Sequence, residues 1–293
     1  MKAKNLFPKA VDQHKPNKPL IPNGIGVIYV LVSAVYLFLL YYFDYKAALP
    51  LAGCILFGGF MGLLDDWIDL RWRYKAFLPI FASLPLVVLR EGNPIMATYI
   101  FGKIDFSQFR FNGFPLGETL FYFAIIPLIV TVATNTINQL GGLNGLETIC
   151  PSIVLIGLMF TSNQSVLLFV PLLVYLVLAI FNFFGKIFVG NTGSFAIGIT
   201  VASYAIIANN EQTLLISILP FIFNSSLILL NVFLFGKTAH LILEGSKLRS
   251  DSKRSLLTLI VHYRHLSERK LVSAVSLLVA FSTFIAVFVW LIW

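Results

Sequence analysis

Nine long apolar runs dominate the chain, at residues 24–43, 47–64, 76–90, 119–138, 146–161, 165–184, 193–208, 213–235 and 271–292. A helix needs roughly 20 apolar residues to cross a bilayer. Inside lipid every backbone N–H and C=O must find its partner within the protein, which leaves helices or closed barrels as spanning structures. Runs this continuous fit helices. Of the 293 residues, 58% are hydrophobic and 12% charged, where a soluble domain carries about a quarter charged. The expected fold is therefore all-α: a polytopic membrane helix bundle of about nine transmembrane helices. The run at 76–90 carries Pro79 and Pro85, tolerable where neighbours satisfy the freed carbonyls. Without internal repeats or low-complexity tracts, residues 1–293 read as a single domain.

Orientation follows from the cations. The chain opens Met1-Lys2-Ala3-Lys4 and stays polar to about Asn23, with no apolar run of a cleavable signal there. If this end is cytoplasmic, alternation places 1–23, 65–75, 139–145, 185–192 and 236–270 inside. These segments hold 5, 3, 0, 1 and 8 basic residues, 17 of the 21, and only Lys46, Arg90, Lys103 and Arg110 fall outside. That is the asymmetry membrane proteins show. The formal net charge of +8 then records topology and contact with anionic membrane lipids, and nucleic acid is not the expected partner. In the outside segment 91–118, Ala97–Phe101 and Phe106–Phe111 alternate around Gly102–Asp105, which predicts a small β-hairpin near 97–111. Cys54 and Cys150 have no metal-ligand spacing and read as small packing residues.

The inside loops are unlike ordinary connectors. The first carries Asp65, Asp66 and Asp69, with Lys75 following. On a helix Asp69 shares a face with both other aspartates, and such crowding calls for a cation, either Lys75 or a divalent metal. The second runs Asn135-Thr136-Ile137-Asn138 to Gly141-Gly142-Leu143-Asn144-Gly145-Leu146-Glu147. Its glycines permit close approach of a ligand, and Asn144 with Glu147 has capping-box spacing. The third, Phe188–Ser194, precedes a span, with Asn191 or Thr192 placed to cap a helix whose free amides suit a phosphate. The fourth, 236–270, is strongly basic and includes Lys237, His240 and Arg249; lipid headgroups and a polyanionic substrate are both in keeping with it. Carboxylates, amides, glycines and cations on one side of the membrane suit a diphosphate with a divalent metal, since Mg²⁺ joins carboxylate or amide oxygens to phosphates.

As an ordered set the loops resemble the polyprenyl-phosphate N-acetylhexosamine-1-phosphate transferases, from about residue 5 to the end. The matching stretches are Asp12-Gln13-His14-Lys15 with Ile21-Pro22 and Gly24, Gly62 to Asp66 with Asp69 and Arg71-Trp72-Arg73-Tyr74-Lys75, Asn135 to Glu147, Phe188 to Ser194, and His265 to Arg269. The Arg-Trp-Arg spelling is closest to the eukaryotic and archaeal branch. The resemblance implies transfer of N-acetylglucosamine-1-phosphate from UDP-GlcNAc to a dolichyl-type polyprenyl phosphate, with release of UMP, in an integral membrane protein whose active site faces the cytoplasm. It implies Mg²⁺, with Mn²⁺ as a substitute, and leaves room for a homodimer. It also implies roles: Asp65, Asp66 and Lys75 catalytic; Asn138 and Asn191 at the metal; Lys15, Asn135, Gly142, Asn144, Glu147 and Phe188 at the nucleotide sugar, Phe188 and Asn144 holding the uracil. Lys237, His240 and Arg249 would clamp diphosphate and sugar.

The chain departs from the family pattern in three places. Asn191 stands where the family has aspartate, Asn23 replaces an acidic residue, and the span that usually precedes the first motif, making ten, is not among the nine runs. Another UDP-N-acetylhexosamine donor, a catalytically impaired variant and a lipid-binding scaffold are the alternatives. A transporter would place its ionisable residues near the midplane, whereas here they cluster at one face.

Overall fold

The computed structural model describes residues 7–15, 17–98 and 102–292. In chain order its helices are α1 (Gly26–Tyr42), α2 (Ala48–Ile68), α3 (Trp72–Leu89), α4 (Leu116–Gln139), α5 (Leu146–Phe160), α6 (Ser165–Phe183), α7 (Gly190–Ile207), α8 (Glu211–Ser217 and Leu219–Phe235), α9 (Leu256–Tyr263) and α10 (Glu268–Ile292). Each of the nine apolar runs coincides with a helix. By length and apolarity α2, α3, α4, α6 and α10 can cross a membrane, and α8 makes a sixth if its two pieces, bent by 59°, count as one span. Helices α1 and α5 are apolar but shorter. Phe160, Phe169, Leu277, Phe281 and Phe284 stand exposed on the outside of the bundle. The chain is an integral membrane protein with its apolar side chains turned outward as well as inward. In α3 the two prolines open successive short helical turns, and the Ser83 hydroxyl donates to the Ile80 carbonyl at the break, 2.6 Å.

Helix α7 is the centre: Thr192 through Ile207 are all buried. Small residues let its neighbours approach backbone to backbone, as in other membrane bundles. Gly26 of α1 lies against Gly193, Gly58 of α2 against Ala196 and Ile199, and Gly62 of α2 against the Asn191 carbonyl, while Gly198 faces Thr134 of α4. Tyr29 of α1 exchanges a 2.6 Å hydrogen bond with Thr200. Both cysteines are buried and free, as expected of packing residues. These contacts fix the ends of α1, α2, α4 and α7 relative to one another, and the polar loops grow from those ends.

Strands are few among the described residues. Lys9–Val11 pairs antiparallel with Leu20–Pro22, Ile95–Thr98 with Gly102–Asp105, and Ile242–Glu244 with Lys247–Arg249. The middle pair shifts the expected hairpin: its second strand is the segment read as the connector, and residues 99–101 lie outside the described residues. Asp105 explains the shift. Its carboxylate accepts from the Ser107 N–H and hydroxyl, 2.9 and 2.6 Å, and turns the chain into a helical turn at Phe106–Gln108. The Ser107 hydrogen bonds, with a further one from Gln108, hold the Asp105 carboxyl below the usual carboxylate range.

Candidate active site

The two aspartates at the end of α2 have different surroundings. Asp65 is buried, and its Oδ1 accepts from Lys75 Nζ at 2.8 Å and from the Leu70 N–H at 2.9 Å. Its Oδ2 is buried with no partner among the described residues. Lys75 also reaches Asp69, at 3.4 Å, whose side chain is almost wholly exposed. Lys75 is thus the cation that the crowded aspartates require. Asp69 ends the helix in the left-handed conformation, φ 45°. Asp66 is fully engaged elsewhere: Oδ1 accepts from the Asn191 N–H at 2.9 Å, and Oδ2 from the Thr192 N–H and hydroxyl at 3.0 and 2.7 Å. The first amides of α7, read from sequence as a phosphate cradle capped by Asn191 or Thr192, are therefore satisfied by a protein carboxylate. The helix dipole favours an anion at that position, and Asp66 supplies it.

The amides of the second loop divide likewise. Asn138 Oδ1 accepts from the Ser194 hydroxyl at 2.6 Å, which places it beside the start of α7. Asn135 instead donates to the Ala76 carbonyl at 3.0 Å, tying α4 to α3. The capping box expected of Asn144 and Glu147 does not form. Gly145 occupies the position before α5, with φ 108°. Glu147 accepts from the Gly142 N–H at 3.0 Å. Asn144 donates through Nδ2 to Asp12 Oδ2 at 2.8 Å and to Glu268 Oε1 at 2.9 Å. Glu268 also binds Lys15 through Oε2, 3.1 Å. Asn182, buried in α6, accepts from the Gly145 N–H at 2.8 Å and donates to the Ile187 carbonyl at 2.9 Å, joining the second and third loops.

Two adjoining cavities lie among these loops. One, of about 300 Å³, is lined by Asp12, Gly142, Asn144, Glu147, Asn182 and Phe188, among others. The second, of about 290 Å³, shares Gln13, His14 and Gly142 with it and extends to Asn224 and His240. Gly142 adopts φ 97° with open space where a side chain would project, so a ligand can reach its backbone. Of the residues assigned by resemblance to the nucleotide sugar, Gly142, Asn144, Glu147 and Phe188 converge on the first cavity. Lys15 stands behind it on Glu268, and Asn135 lines neither cavity. The basic clamp is dispersed: His240 lines the second cavity, Arg249 pairs with Glu244 and Asp251 at 3.2 and 3.5 Å, and Lys237 is exposed. The sequence reading passed over Asp12, Asn182, Ser194 and Glu268 as site residues. An amide inside the apolar run 165–184, close to its end, was the signal for Asn182, because polar groups inside membrane helices need a partner.

A family model describing glycosyl transferase family 4 matches residues 47–209, a stretch that begins just before α2 and takes in the aspartates, the amide loop and the start of α7. The chain belongs to this family. A relative in Saccharolobus solfataricus, provisionally named a UDP-N-acetylglucosamine–dolichyl-phosphate N-acetylglucosaminephosphotransferase, is 32% identical over 267 residues, 85% of this chain and 78% of its own. The Dictyostelium discoideum UDP-N-acetylglucosamine–dolichyl-phosphate N-acetylglucosaminephosphotransferase is 30% identical over 246 residues, 70% of this chain and 59% of its own. A phospho-N-acetylmuramoyl-pentapeptide-transferase of Streptococcus uberis is 27% identical over 240 residues, 78% and 71%.

Among the described residues no three His, Cys, Asp or Glu side chains come together to form a protein cage. The loops do hold a buried carboxylate oxygen on Asp65, unpartnered among the described residues, and the amide oxygen of Asn138 beside the start of α7. A hard cation that takes one or two carboxylates and completes its shell with substrate phosphates and water fits that donor set.

Proposed function

We propose that the chain transfers N-acetylglucosamine-1-phosphate from UDP-GlcNAc to a dolichyl-type polyprenyl phosphate on the cytoplasmic face, releasing UMP. The names of the archaeal and eukaryotic relatives support this reading. The observation that carries it is Asp65: buried, fixed through one oxygen by Lys75 and the Leu70 N–H, and free at the other. In this reading α1, α5 and α7 complete nine membrane helices, and the loops at 65–75, 139–145, 185–192 and 236–270 face the cytoplasm.

An oxygen of the lipid phosphate attacks the sugar-linked phosphorus of the donor. The bond from that phosphorus to the bridging oxygen breaks, UMP leaves with the electron pair, and a lipid-diphosphate sugar remains. Asp65 fixes Lys75, whose charge orients the acceptor phosphate for attack as its dianion. Lys75 holds Asp65 and offers its charge to the same phosphate. Asp66, with both oxygens engaged by α7, sets the spacing between α2 and α7 and acts as a positioning residue. Phe188 stacks on the uracil and Gly142 lets the donor approach the backbone. Mg²⁺, with Mn²⁺ as its substitute, would be held by Asp65 and by the amide oxygens of Asn138 and Asn191, and would supply charge neutralisation on the diphosphate.

Membranes containing the full chain, given radiolabelled UDP-GlcNAc and dolichyl phosphate, should move label into extractable lipid and release UMP in equal amount. Absence of both transfer and uridine-nucleotide binding overturns the proposal. Transfer from UDP-N-acetylmuramoyl-pentapeptide in place of UDP-GlcNAc would move the chain to the other branch of the family.

A further inference from the structure

The polar groups around Asn144 can be accounted for one by one. Asp12, Asn144 and Glu268 come from three distant segments and are 2%, 3% and 8% exposed. Asp12 Oδ1 accepts from the His14 N–H and its Oδ2 from Asn144 Nδ2. Glu268 Oε1 accepts from both the backbone N–H and Nδ2 of Asn144, and its Oε2 from Lys15. Every carboxylate oxygen is used, and both hydrogens of the Asn144 amide are used. A single atom of this group is left over: Asn144 Oδ1, buried and without a partner among the described residues. Carboxylates only accept hydrogen bonds, so two of them facing one carboxamide dictate which end is nitrogen. Turning the amide over would set its oxygen against two anionic oxygens. A buried acceptor left unpaired costs stability, and here it belongs to a residue lining the cavity that Phe188 also lines.

We propose that Asp12 and Glu268 are positioning residues that lock the Asn144 carboxamide with Oδ1 as its only free group, so that the cavity selects a base bearing a ring N–H donor. The inference rests on the uridine-nucleotide reading above. Uracil carries an N–H at ring position 3, whereas cytosine carries an acceptor there. Lys15 then acts at one remove: it holds Glu268 in place and does not touch the nucleotide.

The test is equilibrium binding of UMP, CMP and 3-methyl-UMP to the full chain in detergent. The wild type should prefer UMP over both analogues by roughly tenfold or more, the cost of facing one buried acceptor with the wrong partner. The Asp12→Ala/Glu268→Ala double variant should bind UMP and CMP with nearly equal affinity. A purely structural role for the pair would lower the melting temperature and leave the UMP to CMP ratio intact, and that result overturns the proposal. Equal binding of UMP and 3-methyl-UMP by the wild type overturns it too, and decides the matter if the double variant does not fold. A wild type that binds no uridine nucleotide at all removes the functional reading itself.

Discussion

Asp66 and Thr192 are 126 positions apart, yet one carboxylate oxygen of Asp66 accepts from both the N–H and the hydroxyl of Thr192, at 3.0 and 2.7 Å. Asp65, its neighbour, keeps an oxygen free. Two identical side chains in sequence therefore have different work. Asp65→Asn keeps an oxygen for Lys75 and the Leu70 N–H and leaves Asp69 to Lys75, so it should cost less stability than Asp66→Ala while abolishing lipid labelling. Asp66→Ala should lower stability by about 1–2 kcal/mol, the usual cost of a lost helix cap. Thermal unfolding in detergent alongside the transfer assay separates the two; equal melting of both variants would refute the division.

Lys75 is the partner that allows the Asp65 carboxylate to be buried. Removing one member of a buried pair costs about 3–5 kcal/mol, and the partial exposure of Lys75 puts Lys75→Met toward the lower end. Lys75→Arg keeps the charge and should recover most of that stability without recovering the transfer rate, since a planar guanidinium cannot take the same point contacts. Urea unfolding of the two variants against wild type is the measurement.

Asn191 is bound through its backbone N–H to Asp66, so its side-chain identity is free to change without breaking the cap. Asn191→Asp adds an anionic oxygen donor at the expected metal position. Titrating Mg²⁺ against UMP release should show half-maximal activity at a lower metal concentration than in wild type. An unchanged titration would mean that residue 191 does not limit metal binding.

Asn182→Leu removes the acceptor of the Gly145 N–H and the donor to the Ile187 carbonyl. Each buried group left unpaired costs about 1–3 kcal/mol. The variant should melt well below wild type, and hydrogen exchange at Gly145 should accelerate. Protection of that amide equal to wild type would show that the link between the two loops is not formed.

Much of this architecture was legible in the sequence because lipid imposes a simple rule. The nine apolar runs became helices, and the loop motifs fell at one end of the bundle. What composition could not show was partnership across long separations. Asp65 and Asp66 look alike in sequence, and only the packing of Gly62 against the Asn191 carbonyl brings Asp66 to α7. Asn144 and Glu147 have capping spacing, yet buried Asp12 and Glu268 outbid the local arrangement for the Asn144 amide. Arg249 counted as a free cation in the linear reading, but its neighbours Glu244 and Asp251 neutralise it. The hairpin at 97–111 failed in register because Asp105 turns the chain locally.

Helix α7 opens with Gly190-Asn191-Thr192-Gly193-Ser194 and, from Thr192 onward, is buried on every side. A segment with that beginning partitions poorly into lipid alone. The helices it packs against most, α2, α4 and α1, precede it in the chain, so during synthesis they are made first and wait in the bilayer. Biogenesis then becomes a docking step: α7 enters a slot already walled by protein, and the Asp66 carboxylate marks how deep it goes.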